Sequence, residues 1–169
     1  AILHAEEYSA SHPLSPIDCS SPRGTIKSYL DSHQAMSNYL YGEHWNNPSE
    51  ETVDQILIRS HLLMRLIDSS RFPPAVRKKM GVEALLHLTE VMKRIDPQNL
   101  LSAPDGSTGE GLPDHWTVPN TEITLVRIKE GERKGDYIFS ANTVERATDF
   151  YEMVKDLPVY GESNSWLEK

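Results

Sequence analysis

Trp116-Thr117-Val118-Pro119-Asn120-Thr121-Glu122-Ile123-Thr124-Leu125-Val126-Arg127-Ile128-Lys129-Glu130-Gly131-Glu132-Arg133-Lys134-Gly135-Asp136-Tyr137-Ile138-Phe139-Ser140 is the stretch on which the fold turns. Upstream of it, apolar residues recur at three- and four-residue steps. Within it the period drops to two, as half-buried strands require. Three strands are predicted, at 116–118, 122–129 and 136–140. Glu130 to Gly135 forms the hairpin connection between the last two. A three-stranded sheet needs one face covered to be stable, so helices must pack on it.

The cover lies on both sides in sequence. Ser21-Pro22 reads as an N-cap followed by proline at the first helical position. Ile26, Tyr29, Leu30, His33, Met36 and Leu40 then form one stripe, and Gly42 closes the helix. Ser49 caps a second helix whose first turn holds Glu50 and Glu51. Its apolar face comprises Val53, Ile56, Leu57, Leu63, Leu66 and Ile67, widened by Leu62 and Met64. Phe72-Pro73-Pro74 stops it. A short helix over Val76–Met80 is expected to end at Gly81. A further helix runs from Val82 through Leu85, Leu86, Leu88, Val91 and Met92 to Ile95. Residues 98–115 have no period and read as a mobile loop. Beyond the strands, Asn142-Thr143-Val144-Glu145 has the shape of a capping box. The helix it opens carries Val144, Ala147, Phe150, Tyr151, Val154 and Leu157 on one side, up to Pro158.

The class is therefore α+β: an N-terminal layer of three to four helices, a small antiparallel β-meander and a C-terminal helix. The expected organisation is a flexible arm over 1–20, one domain over 21–158 and a polar tail over 159–169. Within the domain, 21–97 is helical, 98–115 is loop, and 116–158 holds the hairpin and closing helix. The 169 residues suit one core, which at this length buries roughly 70% of the unfolded surface without a metal or disulfide.

Composition excludes several classes of function. There are 17 Lys+Arg against 25 Asp+Glu, a net charge of −8. That balance disfavours nucleic acid and anionic lipid as partners. No apolar run approaches the roughly 20 residues of a membrane helix, so no direct membrane insertion by these residues is expected. Cys19 is the single cysteine, which excludes an intrachain disulfide and a multi-cysteine zinc site. It reads as an inert thiol in a polar tail. The start, Ala1-Ile2-Leu3-His4, has neither a basic n-region nor an apolar h-region, which leaves a processed and an unprocessed beginning both open.

Signals of chemistry are sparse. No two of the seven histidines stand at i, i+4 on one helix, so His-Glu-x-x-His zinc chemistry is absent. His61 and His87 lie beside apolar stripes and read as partly buried structural residues. Asp114-His115 looks like half of an acid–base pair, but neighbours in a strand point apart. Gly-x-Ser-x-Gly and Ser-x-x-Lys are missing, as is any Gly-rich phosphate loop. No catalytic residue, cofactor or metal site is assigned, and the reading is non-enzymatic. Arg77-Lys78-Lys79 and Arg127 to Lys134 are short basic clusters that read as solvated surface. Trp116, Arg127, Arg133, Lys134 and Tyr137, on and beside the hairpin, are the candidate ligand or partner contacts. Trp116, Tyr137, Phe139, Phe150 and Tyr151 could alternatively line a cleft between sheet and helix, which would make the chain a free-standing small-ligand-binding module. Core packing accounts for the same aromatics.

Two sets of residues also carry a resemblance. One is Ser21-Pro22-Arg23-Gly24-Thr25-Ile26-Lys27-Ser28-Tyr29-Leu30 with Phe72-Pro73-Pro74-Ala75-Val76-Arg77 and Ala84-Leu85-Leu86-His87-Leu88-Thr89-Glu90-Val91-Met92-Lys93-Arg94-Ile95. The other is Trp116 to Ile128, then Tyr137 to Val144, Phe150-Tyr151 and Leu157-Pro158. In this order they resemble the soluble N-terminal region of large MscS-like mechanosensitive channel proteins of bacteria, over about residues 21–158. The resemblance implies a periplasmic regulatory or interaction domain, attached to the inner membrane through the rest of a channel that opens under tension. It implies protein partners, or the membrane portion of the same protein, and leaves oligomeric state open. It supplies no catalytic residue.

Overall fold

A computed structural model describes residues 17–38, 49–51 and 60–160, with only the backbone over 35–38. The expectations placed on Leu40, Gly42, Val53, Ile56, Leu57 and the polar tail after 160 lie outside the described residues. Helix α1 spans Pro22–Asn38. The Ser21 hydroxyl accepts from the Gly24 N–H at 3.0 Å, the N-cap geometry expected of Ser-Pro. Residues 60–64 are helical. Helix α2 is Arg77–Met92 and α3 is Pro97–Leu101. Strands β1 (His115–Thr117), β2 (Thr124–Arg127) and β3 (Tyr137–Phe139) form an antiparallel sheet in the order β1-β2-β3. Helices α4 (Ala141–Glu145) and α5 (Ala147–Val154) follow. The architecture is mixed helix and small antiparallel sheet, with helices at both ends.

The register pairs Trp116 with Leu125, and Leu125 with Phe139. That row joins the sheet to Tyr29, Leu63, Leu66, Leu88 and Met92, all fully buried. The second edge of β3 is sealed by two distant segments. The Tyr137 N–H donates to the Cys19 carbonyl at 2.8 Å, and the Phe139 N–H donates to the Leu66 carbonyl at 2.9 Å. The Asp68 N–H returns to the Phe139 carbonyl at 3.0 Å, and Ile67 bridges Phe139 in parallel. An exposed strand edge invites pairing with other chains, and these contacts occupy it.

Several expectations are corrected. Val76–Met80 and Val82–Ile95 are not two helices: α2 runs unbroken through Gly81. Gly81 is buried there, and a Cβ would lie 2.5 Å from the Met64 methyl. The glycine permits close approach of the 60–64 segment and terminates nothing. Ile67 is extended rather than helical, because its backbone serves β3. The loop expected over 98–115 begins with α3, where the Asp96 carboxylate accepts from the Gln98 N–H and Pro97 opens the turn. Leu100 and Ala103 of this stretch are buried. Arg23 holds it down, donating to the carbonyls of Ala103 at 2.9 Å and Leu101 at 2.6 Å.

The strands are shorter than their patterns. Asn120 takes φ 62° and the Val118 N–H donates to the Ile123 carbonyl, so a tight turn uses residues read as strand. The closing helix is two pieces, divided at Arg146 (φ −92°, ψ 3°). Its cap is Ser140, whose hydroxyl accepts from the Thr143 N–H at 3.2 Å, and not Asn142. Thr143 is fully buried, and its hydroxyl accepts from the Thr124 N–H at 3.0 Å, fixing α4 to β2. Leu157 is 53% exposed and does not belong to the inner stripe.

Candidate functional site

The hairpin residues divide into two groups. Arg127 and Tyr137 face each other across β2 and β3 in register. The Arg127 guanidinium lies 5.1 Å from the Tyr137 ring centroid, a cation–π contact. It also donates to the Leu112 carbonyl at 3.2 Å and lies 3.6 Å from the Asp114 carboxylate. Tyr137 is fully buried, and its hydroxyl donates to the Pro113 carbonyl at 2.5 Å. Its side chain is thus enclosed within the chain and presents no surface to a partner. Trp116 is half-buried against the core. Arg133 belongs to the second group. It donates to Asp136 at 3.0 Å and to the Arg65 carbonyl at 2.8 Å, and lies 3.9 Å from the Cys19 sulfur. Lys134 is exposed at the hairpin tip, between Gly131 at φ 85° and Gly135 at φ 98°. The structure does not bring the five residues into one site. Arg127 and Arg133 brace the hairpin against residues 112–114 and 65.

Cys19 is buried, in contrast to the polar-tail reading. Burial, with the Asp136 charge adding to it, pushes its thiol up despite Arg133 nearby. A thiol so held is a poor nucleophile. The Asp114 carboxylate is engaged by Lys129 and Arg127, and the Lys129 hydrogen bond holds it below the usual carboxylate range. Adjacent His115 is exposed. His87 stacks on Tyr151 with centroids 4.8 Å apart, and its Nδ1 is 2.9 Å from the Thr148 hydroxyl, so it joins α2 to α5. Among the described residues, no three His, Cys, Asp or Glu side chains are grouped to hold a metal ion. Of the aromatics proposed for a cleft, Tyr137, Phe139 and Phe150 are buried in packing.

His33 is strongly altered by the fold. Desolvation on α1 pushes its pKa down to about 4, with Lys93 adding to the effect and Glu90 opposing it. Because this lies below the unfolded value near 6.5, the unfolded chain binds the proton first. The stability tied to neutral His33 is complete above about 6.5 and is lost as pH falls toward 4. Urea unfolding of the wild type and His33→Gln at several pH values should show their stability difference shrinking across that window. A difference constant with pH would contradict this account.

Two surface features escape a reading based on motifs. Val76 and Met80 stand one turn apart, 40% and 37% exposed, beside Lys78 and Lys79. Met153 and Leu157 are 63% and 53% exposed, and Asp149 and Asp156 flank Met153 at one-turn spacing. None of these four charged residues is in an ion pair among the described residues, although nine pairs exist elsewhere. The signal available in sequence was Met153, an apolar residue off the stripe of Ala147, Phe150, Tyr151 and Val154. No protein-family model, curated protein or solved structure matches the chain significantly.

Proposed function

We propose that the chain is a non-enzymatic regulatory and interaction domain of the bacterial envelope, the periplasmic N-terminal part of an MscS-like mechanosensitive channel. What carries this reading is where the resembling residues lie. Ser21 caps α1, Tyr29 and Phe139 meet in the core, and Leu125, Val144 and Phe150 are buried with them. The shared pattern thus describes a scaffold and names no reaction centre. The polar side chains most suggestive of chemistry serve the same scaffold: Asp114 pairs with Lys129, His87 ties two helices, and Tyr137 anchors to Pro113. A domain so built acts through its surface and its attachment. The test is electrical. The complete gene should be expressed in cells stripped of tension-gated channels, and membrane patches recorded under suction. A tension-activated conductance is expected, with a threshold that shifts when codons 21–158 are deleted. No conductance, or an unmoved threshold, would overturn the proposal.

A further inference from the structure

The two charged apolar patches lie at opposite ends of one helix pair. Helices α2 and α5 run side by side in the same direction, because His87 meets Thr148 and Tyr151 while Arg94 donates to the Leu157 carbonyl at 3.1 Å. Val76, Lys78, Lys79 and Met80 occupy the start of α2. Met153, Asp156 and Leu157 lie beside its far end. At 1.5 Å rise per residue, the separation along the helix is roughly 20 Å. The patches therefore cannot neutralise each other within one molecule.

Each patch complements the other. Both present two exposed apolar residues one turn apart, one pair among lysines and the other among aspartates, where the neighbouring cation, Lys155, is already paired with Glu152. The basic end is also locally unfavourable. Arg77, Lys78 and Lys79 crowd the positive pole of α2, no acidic residue lies in its first turn, and no side chain caps it. Such a departure from local preference is expected where a surface serves contact. In a chain of net charge −8, a patch of cations without carboxylate partners selects an acidic occupant, and the molecule carries one itself.

We propose that copies of this chain associate head to tail, the Val76–Met80 patch of one docking on the Met153–Leu157 patch of the next. The contact is heterologous, so each bound copy leaves one patch of each kind available for another. This goes beyond the channel reading and stands or falls separately, since it concerns only this chain in solution. With four apolar residues and four charges at its centre the contact is small, so association should be weak and dependent on concentration and salt.

Sedimentation velocity of the chain at low ionic strength, up to about 1 mM, should show the mean mass rising above 19.1 kDa, and 0.5 M salt should reverse it through screening. Lys78→Glu with Lys79→Glu should weaken self-association at least tenfold, as should Asp149→Lys with Asp156→Lys. Mixed in equal amounts, the two double variants should associate again, because the native lysine–aspartate contact survives between them and the reversed charges complement each other at the second contact. All the substitutions are at exposed positions, and circular dichroism of each variant checks that it folds. A wild-type monomer throughout, or a mixture that stays monomeric while the wild type associates, would overturn the proposal.

Discussion

Phe139→Ala should lower the unfolding free energy by about 3–5 kcal/mol. Phe139 is fully buried and sits at the meeting point of three separate stretches of chain. Its ring makes an edge contact with Tyr29 of α1, centroids 5.2 Å apart and planes at 67°. Its backbone bonds Leu66 and Asp68, and Leu125 stands opposite it on β2. Truncation leaves the backbone bonds in place and empties the space between α1 and the sheet. The cost is therefore the lost transfer energy plus the cavity. Against a total stability of about 5–15 kcal/mol, the variant would be marginal. Urea denaturation should show a lower midpoint with an unchanged m-value. A loss below about 1 kcal/mol would show that the site is not a packed joint.

Tyr29→Ala should cost about as much, roughly 3–5 kcal/mol, while Tyr29→Phe should cost only about 1 kcal/mol. The Tyr29 hydroxyl donates to the Leu85 carbonyl at 2.6 Å and lies 2.9 Å from the Thr89 hydroxyl. Thr89 itself donates to that carbonyl at 2.8 Å, so removing the phenol oxygen leaves no acceptor stranded. Burial raises the phenol pKa well above its ordinary value, and the group stays a donor at every working pH. Most of the effect should therefore reside in the ring. A double-mutant cycle with Phe139→Ala should give a coupling of about 0.5–1.5 kcal/mol, as expected for an aromatic pair in contact. Equal losses for Phe and Ala at position 29 would place the weight on the hydrogen bond instead.

The parts of the fold legible in the sequence were those governed by local rules. Ser21-Pro22 caps α1 because the capping bond spans three residues. The meander was readable because alternation around Leu125 and Phe139 has one period. What escaped depends on distant neighbours. Gly81 reads as a stop until Met64 is seen against it. Ile67 follows a helical stripe, yet β3 needs a backbone partner, and that demand overrides the pattern. Cys19 looks like tail because the strand residue that its carbonyl bonds, Tyr137, lies more than a hundred positions away. Ser140 lost the cap to Asn142 in the reading because both precede a plausible first turn, and only the fold of Thr143 onto β2 decides between them. The hairpin contacts follow from residue type alone, and an aromatic beside a charged turn, such as Tyr137, can equally be core. The patches around Met80 and Met153 required knowing which helix face the core leaves uncovered.

The sealing of β3 also bears on how the chain comes off the ribosome. Its three partners, Cys19, Leu66 and Asp68, are all made long before Phe139. At about 5–20 residues per second, the earlier segments wait several seconds for the strand that locks them. During that interval the apolar stripe of Ile26 and Tyr29 has no sheet to cover it. Closure of the sheet is thus timed by one late tripeptide, Tyr137-Ile138-Phe139, and a nascent chain halted short of it remains a substrate for chaperones, however complete its earlier helices.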